Sequence, residues 1–147
     1  MQVYIVHPRV TLDEDKYAID FYEACVNEVN RYLAVTSIAN ASAMETVRTT
    51  NEDVLIFFNR SDQNYPEHFI DFIQNVSLTG CNLFPVAVTE SHRLPPKVAG
   101  SRQSYDIQEQ LQQRKLTVSQ AETIGIVFAR SIISHLQPTI MSYAVAV

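Results

Sequence analysis

Glu52-Asp53-Val54-Leu55-Ile56-Phe57-Phe58-Asn59-Arg60-Ser61-Asp62 is the stretch that decides the fold. Five apolar residues in a row, β-branched or aromatic apart from Leu55, stand between two acids and a polar turn. A strand with one wet face alternates polar and apolar side chains. An uninterrupted apolar run reads instead as a strand covered on both faces, the situation of a parallel sheet with helices above and below it.

The same pattern recurs on either side. Val3 to Val6 is a short apolar strand closed by His7-Pro8, and Leu83 to Val88 is a third, in which Pro85 has no amide hydrogen to give. That proline places the strand near a sheet edge, or begins it. Residues 34–39 form a weaker strand. Between the strands lie helical spacings. Behind the acidic cluster Asp13, Glu14 and Asp15, the residues Ala18, Phe21, Tyr22, Cys25, Val26, Val29, Tyr32 and Leu33 share one face. Ser42 to Thr50 reads as a short helix with a thin apolar face. Pro66 opens another, with Phe69, Ile70, Phe72, Ile73 and Val76 inward and Gly80 ending it.

Glu90 to Ser104 is irregular, and Tyr105 to Lys115 has a polar helical character. Ser119 with Glu122 reads as a capping box for a last helix, with Ile124, Val127, Phe128, Ile132 and Leu136 inward and Pro138 closing it. Strands alternating with helices predict a flavodoxin-like three-layer α/β sandwich, a parallel sheet of about five strands in the order 2-1-3-4-5 with helices on both faces. Residues 1–138 make that domain. The uncharged segment 139–147 is expected to begin a linker or a further domain, or to pack on a partner.

Composition excludes several functions. The three glycines, Gly80, Gly100 and Gly125, are too scattered for a Walker loop or a glycine-rich dinucleotide fingerprint. Eleven basic against sixteen acidic side chains, a net charge of -5, argue against nucleic acid as a partner. Cys25 and Cys81 form no CxxC pair and no Cys/His cluster, so neither a metal site nor a disulfide scaffold is expected, and both read as buried small hydrophobes. No apolar run approaches the roughly 20 residues of a membrane span. The expectation is a cytoplasmic protein without a membrane partner, in which the sequons at Asn40, Asn59 and Asn75 are incidental.

In the 2-1-3-4-5 order the winding reverses between the first and third strands, and ligands bind in the crevice beyond their carboxyl ends. The residues expected there are His7, Pro8 and Arg9 after the first strand, Asn59, Arg60, Ser61 and Asp62 after the third, and Glu67 at the start of the next helix. Arginine pairs with phosphate in a forked geometry, and a helix amino end adds free N–H groups. A carboxylate beside them can hydrogen-bond a ribose and stabilise positive charge at its anomeric carbon. Each residue also has a plainer reading. His7 suits a hydrogen-bonded structural histidine, Glu67 complements a helix dipole, and Asp71 lies between two inward pairs and so faces outward or sits at a boundary. Tyr105 either stacks on a base or anchors its loop on the core. His68, His92 and His135 show no spacing for a metal.

Three segments resemble the Toll/interleukin-1 receptor (TIR) domain in its divergent bacterial form. Asp53 to Ser61 is similar to that family's third strand and its serine-containing exit. Leu83 to Val88, followed by Arg93-Leu94-Pro95-Pro96, is similar to its fourth strand, and the helix ending near Leu136 matches its last helix in length. Nucleoside deoxyribosyltransferases share the first two features. Many TIR domains cleave NAD at the nicotinamide-ribose bond with a glutamate on the helix after the third strand. The resemblance therefore implies an NAD hydrolase or cyclase of innate immune or anti-phage signalling, activated by oligomerisation with itself or with other TIR domains, with NAD as substrate and no cofactor. Taking Tyr65 as the family's aromatic puts the expected position on Phe69. Counting forward from the loop favours Glu67 as the catalytic carboxylate; counting back from Gly80 and Pro85 favours Asp71. His7, Arg9, Asn59, Arg60, Ser61 and Tyr105 are the substrate-binding candidates. The alternatives are a non-catalytic module for assembly or for binding a nucleotide signal, and a deoxyribosyltransferase-like base exchange.

Overall fold

A computed structural model describes residues 1–12 and 16–146, with side chains for residues 1–12 and 17–136. The acidic cluster Asp13, Glu14 and Asp15 lies outside the described residues. Five parallel strands form one sheet in the order β2-β1-β3-β4-β5: β1 (Val3–Val6), β2 (Val35–Ile38), β3 (Val54–Phe58), β4 (Asn82–Ala87) and β5 (Tyr105–Asp106). Five helices cover it: α1 (Lys16–Asn30), α2 (Ala41–Glu45), α3 (Glu67–Leu78), α4 (Ile107–Gln113) and α5 (Ala121–Ala146). This is the flavodoxin-like α/β sandwich that the apolar strand runs predict.

All five residues of β3 are buried. Their alternation builds two cores. Val54, Ile56 and Phe58, with Val3 and Ile5 of β1, pack under α1, α4 and α5. Leu55 and Phe57, with Val6 and Leu83, pack under α2 and α3. Pro85 fits because β4 meets β5 only at Val86 and Ala87. Neighbouring residues of a strand turn their peptide groups to opposite sides. Asn82 donates to the Asp53 carbonyl and Val86 accepts from the Asn59 amide, both towards β3. Pro85 is out of phase with them, so its nitrogen lies on the side where β5 has not yet begun.

The third glycine sets the closest helix packing. A Cβ at Gly125 of α5 would stand 2.4 Å from the Phe21 carbonyl oxygen and 3.1 Å from Ala24 Cβ of α1. The two helices are further joined by the buried carboxylate of Glu28, which accepts from Arg130 at 3.3 Å and pairs with Arg31 at 3.3 Å. Gly80 ends α3 at φ +78, a conformation that side chains resist. Cys25 and Cys81 are buried free thiols, and burial pushes both up to about 12.

Four local expectations are corrected. The helix read over 42–50 stops at Glu45. Asn40 caps its start by accepting the Ala43 N–H. The Thr46 hydroxyl and the Arg48 guanidinium then take the carbonyls of Ala43 and Glu45, ending it ahead of a β-branched run. Tyr105-Asp106, read as the start of a helix, is the fifth strand. The cap before α5 lies two residues earlier than the Ser119/Glu122 reading. There the Gln120 side-chain oxygen accepts the Thr117 N–H at 2.9 Å, and Val118–Gln120 is a 3-10 turn. Pro138 does not close α5, which runs on to Ala146. A proline inside a helix removes one hydrogen bond and crowds the preceding turn, which kinks or breaks the helix, and here the helix continues past it.

Candidate functional site

Because β1 and β3 are adjacent, with β2 outside β1 and β4 outside β3, the loops after β1 and β3 flank the crevice where the winding reverses. The first loop is a 3-10 turn, Pro8–Val10. His7 begins it. Its Nδ1 accepts the Arg9 N–H at 3.1 Å, its own N–H reaches the Ile38 carbonyl at 2.9 Å, and its ring meets Tyr22 edge-on at 4.7 Å. The buried Thr11 hydroxyl donates to the Phe58 carbonyl at 2.7 Å and ties this loop to the end of β3. Sequence reasoning passed over Thr11; a lone hydroxyl between Val10 and Leu12 is the signal that would have found it. Arg9 is exposed and makes no ion pair among the described residues.

The loop after β3 is braced from within. The Arg60 N–H donates to the Tyr65 hydroxyl at 2.9 Å, and the Arg60 side chain pairs with Asp62 at 3.2 Å. Tyr65 lies buried, stacked on Phe69 with ring centres 5.3 Å apart, so its role is to shape the loop. Ser61 is exposed. Glu67 is the first residue of α3, exposed, and makes no hydrogen bond or ion pair among the described residues. The helical bonds start with Phe69 and Ile70 on the Pro66 carbonyl, so the N–H groups of Glu67 and His68 precede them.

Three of the sequence-based candidates stand elsewhere or do something else. Asn59 is fully buried. Its side-chain N–H groups donate to the His92 carbonyl at 2.9 Å and to Ser104 Oγ at 2.7 Å, while its backbone N–H goes to Val86. It fastens the loops after β3 and β4 to the segment entering β5, so it is a brace rather than an open binding group. Tyr105 lies half-buried on β5 with its ring 4.6 Å from Phe128 and 6.1 Å from Phe21; it packs on the core under α5 and lines a groove along β4 and α5, away from the loops after β1 and β3. Burial pushes its hydroxyl up from the ordinary tyrosine range. Asp71, one turn into α3, faces a groove of about 570 Å³ between α2 and α3. That groove runs from Ala41 to Thr79 along the flank of the sheet and includes Arg48, His68 and Phe72. The strand order thus puts His7, Arg9, Arg60 and Ser61 on the two loops at the carboxyl ends of β1 and β3, with Glu67 at the start of α3, whereas Asp71 lines the α2–α3 groove and Tyr105 lies on β5. No group of three or more His, Cys, Asp or Glu suited to a metal occurs among the described residues. Nor is any single described helix long and apolar enough to cross a membrane.

Burial, and next to it the charge of Arg9, holds the His7 imidazole below its ordinary value of 6.5, against a smaller opposing pull from Glu23. A base whose folded value is depressed is protonated more readily in the unfolded chain. Its contribution is therefore intact above about pH 6.5 and is lost as the pH falls below it. Protonation of Nδ1 also removes the acceptor for Arg9 N–H. Urea midpoints measured from neutral pH down to about pH 5 are expected to fall more steeply for the native chain than for His7→Asn, which keeps a capping side chain without the titration. Parallel pH curves would show that His7 is not the coupled group.

Searches against family models and curated proteins found no match to this chain.

Proposed function

We propose that the domain is a TIR-like enzyme that takes NAD or a related nucleotide in the crevice between the loops after β1 and β3 and cleaves the bond between ribose and nicotinamide. The observation that carries this reading is Glu67: an exposed carboxylate without an internal partner, on the first turn of the helix after the central strand, at the switch-point end of the sheet. Arg9 and Arg60 line the two sides and suit a pyrophosphate. As the nicotinamide leaves, positive charge develops at the ribose anomeric carbon; the Glu67 carboxylate stabilises it and water completes the hydrolysis. Of the two carboxylates that the resemblance leaves open, Glu67 is favoured because Asp71 faces the flank groove. Self-association would complete the site and activate it, in an immune or anti-phage signalling role.

A second reading rests on the bonding of His7 Nδ1 and of the Asn59 side-chain N–H groups, which are taken up by the protein itself. On it the domain is a non-catalytic assembly module, and the α2–α3 groove is its contact face.

Incubation of concentrated protein with NAD, following nicotinamide release, separates the readings. Turnover is expected in the native chain and in Asp71→Asn, and a loss of at least tenfold in Glu67→Gln. Equal loss in Asp71→Asn alone would move the catalytic role to that residue. No turnover at any protein concentration, with concentration-dependent assembly in sedimentation, would establish the second reading. Base release from nucleosides but not from NAD would point to deoxyribosyltransferase-like chemistry.

A further inference from the structure

Surface grooves among the described residues differ sharply in charge. The α2–α3 groove contains Glu45 and Asp71 opposite Arg48 and His68. A groove of about 520 Å³ along β4 and α5 contains Asp106 and Glu109 and no lysine or arginine. A third, of about 660 Å³, lies between α3 and the segment 94–102. Its walls are Tyr65, Ile70, Leu94, Pro95, Pro96 and Val98, its charged groups are Lys97 and Arg102, and it has no acidic residue at all. In a chain of net charge -5 such a lining is against the trend of the surface.

Neither cation is neutralised. Lys97 and Arg102 are exposed and form no ion pair among the described residues. Arg102 is held in place by one donation to the Ala99 carbonyl at 2.7 Å, which leaves most of its guanidinium N–H groups for a ligand. The floor is rigid. A 3-10 turn, Lys97–Ala99, packs against α3 and ends at Gly100 with φ +77, and Ala99 is buried. Leu94 on the rim is 68% exposed, an uncommon cost for a leucine in water. The side chain of Gln63, in a left-handed backbone conformation at φ 60, donates to the Leu94 carbonyl and closes the end nearest the loop after β3.

We infer that this groove is a second binding site, separate from the switch-point crevice, for a small phosphate monoester with an apolar body. The body lies against Ile70, Leu94, Pro95 and Val98, and the phosphate is shared by Lys97 and Arg102. The volume is in the range of small-molecule sites, and an apolar wall with a few convergent polar groups is their usual construction. Two cations with no competing acid match a doubly charged phosphate, with Arg102 supplying the fork and Lys97 the point charge.

The test is titration of the intact protein with 1-naphthyl phosphate, followed by amide chemical shifts. Saturable binding below about 1 mM is expected, with shifts centred on Ile70, Leu94 and Val98, weakened by added salt. Inorganic phosphate and 1-naphthol, each having half of the ligand, are expected to bind at least tenfold more weakly. Lys97→Glu and Arg102→Gln together are expected to weaken binding at least tenfold with an unchanged melting temperature. Glu67→Gln is expected to leave the affinity as it was, which separates this site from the proposed catalytic one. Inorganic phosphate binding as tightly as the ester, native affinity in the double variant, shifts centred on Arg9 and Arg60, or no saturable binding would each overturn the assignment.

Discussion

Gly125→Ala is expected to lower the unfolding free energy by about 3 kcal/mol, the upper end of what overpacking usually costs. In an exposed helix the same change would stabilise by up to about 1 kcal/mol, because alanine is the better helix former. The sign reverses here because the added methyl would stand 2.4 Å from the Phe21 carbonyl oxygen, and 3.1 Å from Ala24 Cβ. The near atom is backbone, so no rotamer change relieves it; α5 has to move off α1. That displacement would also strain the pairing of Glu28 with Arg130. Urea denaturation should show the loss directly, and the melting temperature should drop by about 10 °C. An unchanged or more stable variant would mean that the two helices do not approach as described.

Asn59→Asp is the second large effect, a loss of about 3 kcal/mol at neutral pH. The change is nearly isosteric, so packing is kept. It replaces two donated hydrogen bonds, to the His92 carbonyl and to Ser104 Oγ, with a buried carboxylate that has no hydrogen to donate to either. Desolvation holds such a carboxyl above its unfolded value, so the folded state binds the proton more tightly. The penalty is then full at high pH and lifts as the pH falls through the folded value, when the protonated acid can donate once. Stability rising with acidification, against the decline expected from His7 in the native chain, is the signature. A residue serving only an open binding site would instead change stability by no more than about 0.5 kcal/mol.

The sequence was most legible where one local cause decided the outcome. Val54 to Phe58 has no polar residue to turn towards water, so it had to be a central strand. Gly80 follows an apolar helix at the point where a left-handed residue is needed, and it has φ +78. Pro85 restricted its strand to a place where one peptide side is open, and β5 begins just past it. Legibility failed where partners distant in sequence competed with local signals. Tyr105-Asp106 has a helical composition around it, and became a strand because β4 presented a free edge at Val86. The cap of α5 moved from Ser119 to Thr117 through a side chain that either spacing would have allowed.

The candidate site divides in the same way. That His7, Arg9, Arg60 and Glu67 gather at one end follows from strand order, and strand order followed from the alternation of apolar runs with helices. Whether a given polar group is free could not follow from it. Asn59 and Ser61 are neighbours of similar composition; one is sealed under two loops, and the other is exposed. Asp71 and Glu67 lie one turn apart on nearly the same face of α3, so it is the rise of about 6 Å along the helix that puts Asp71 beside the α2–α3 groove and leaves Glu67 at the end next to the loop after β3. The sequence by itself determined the layers and the sheet order, because those depend on runs of hydrophobicity that each strand and helix has locally. Only the tertiary structure decided which polar atoms are already satisfied and which cations have no acid beside them, because hydrogen bonds and charge pairing are properties of atoms brought together from distant parts of the chain.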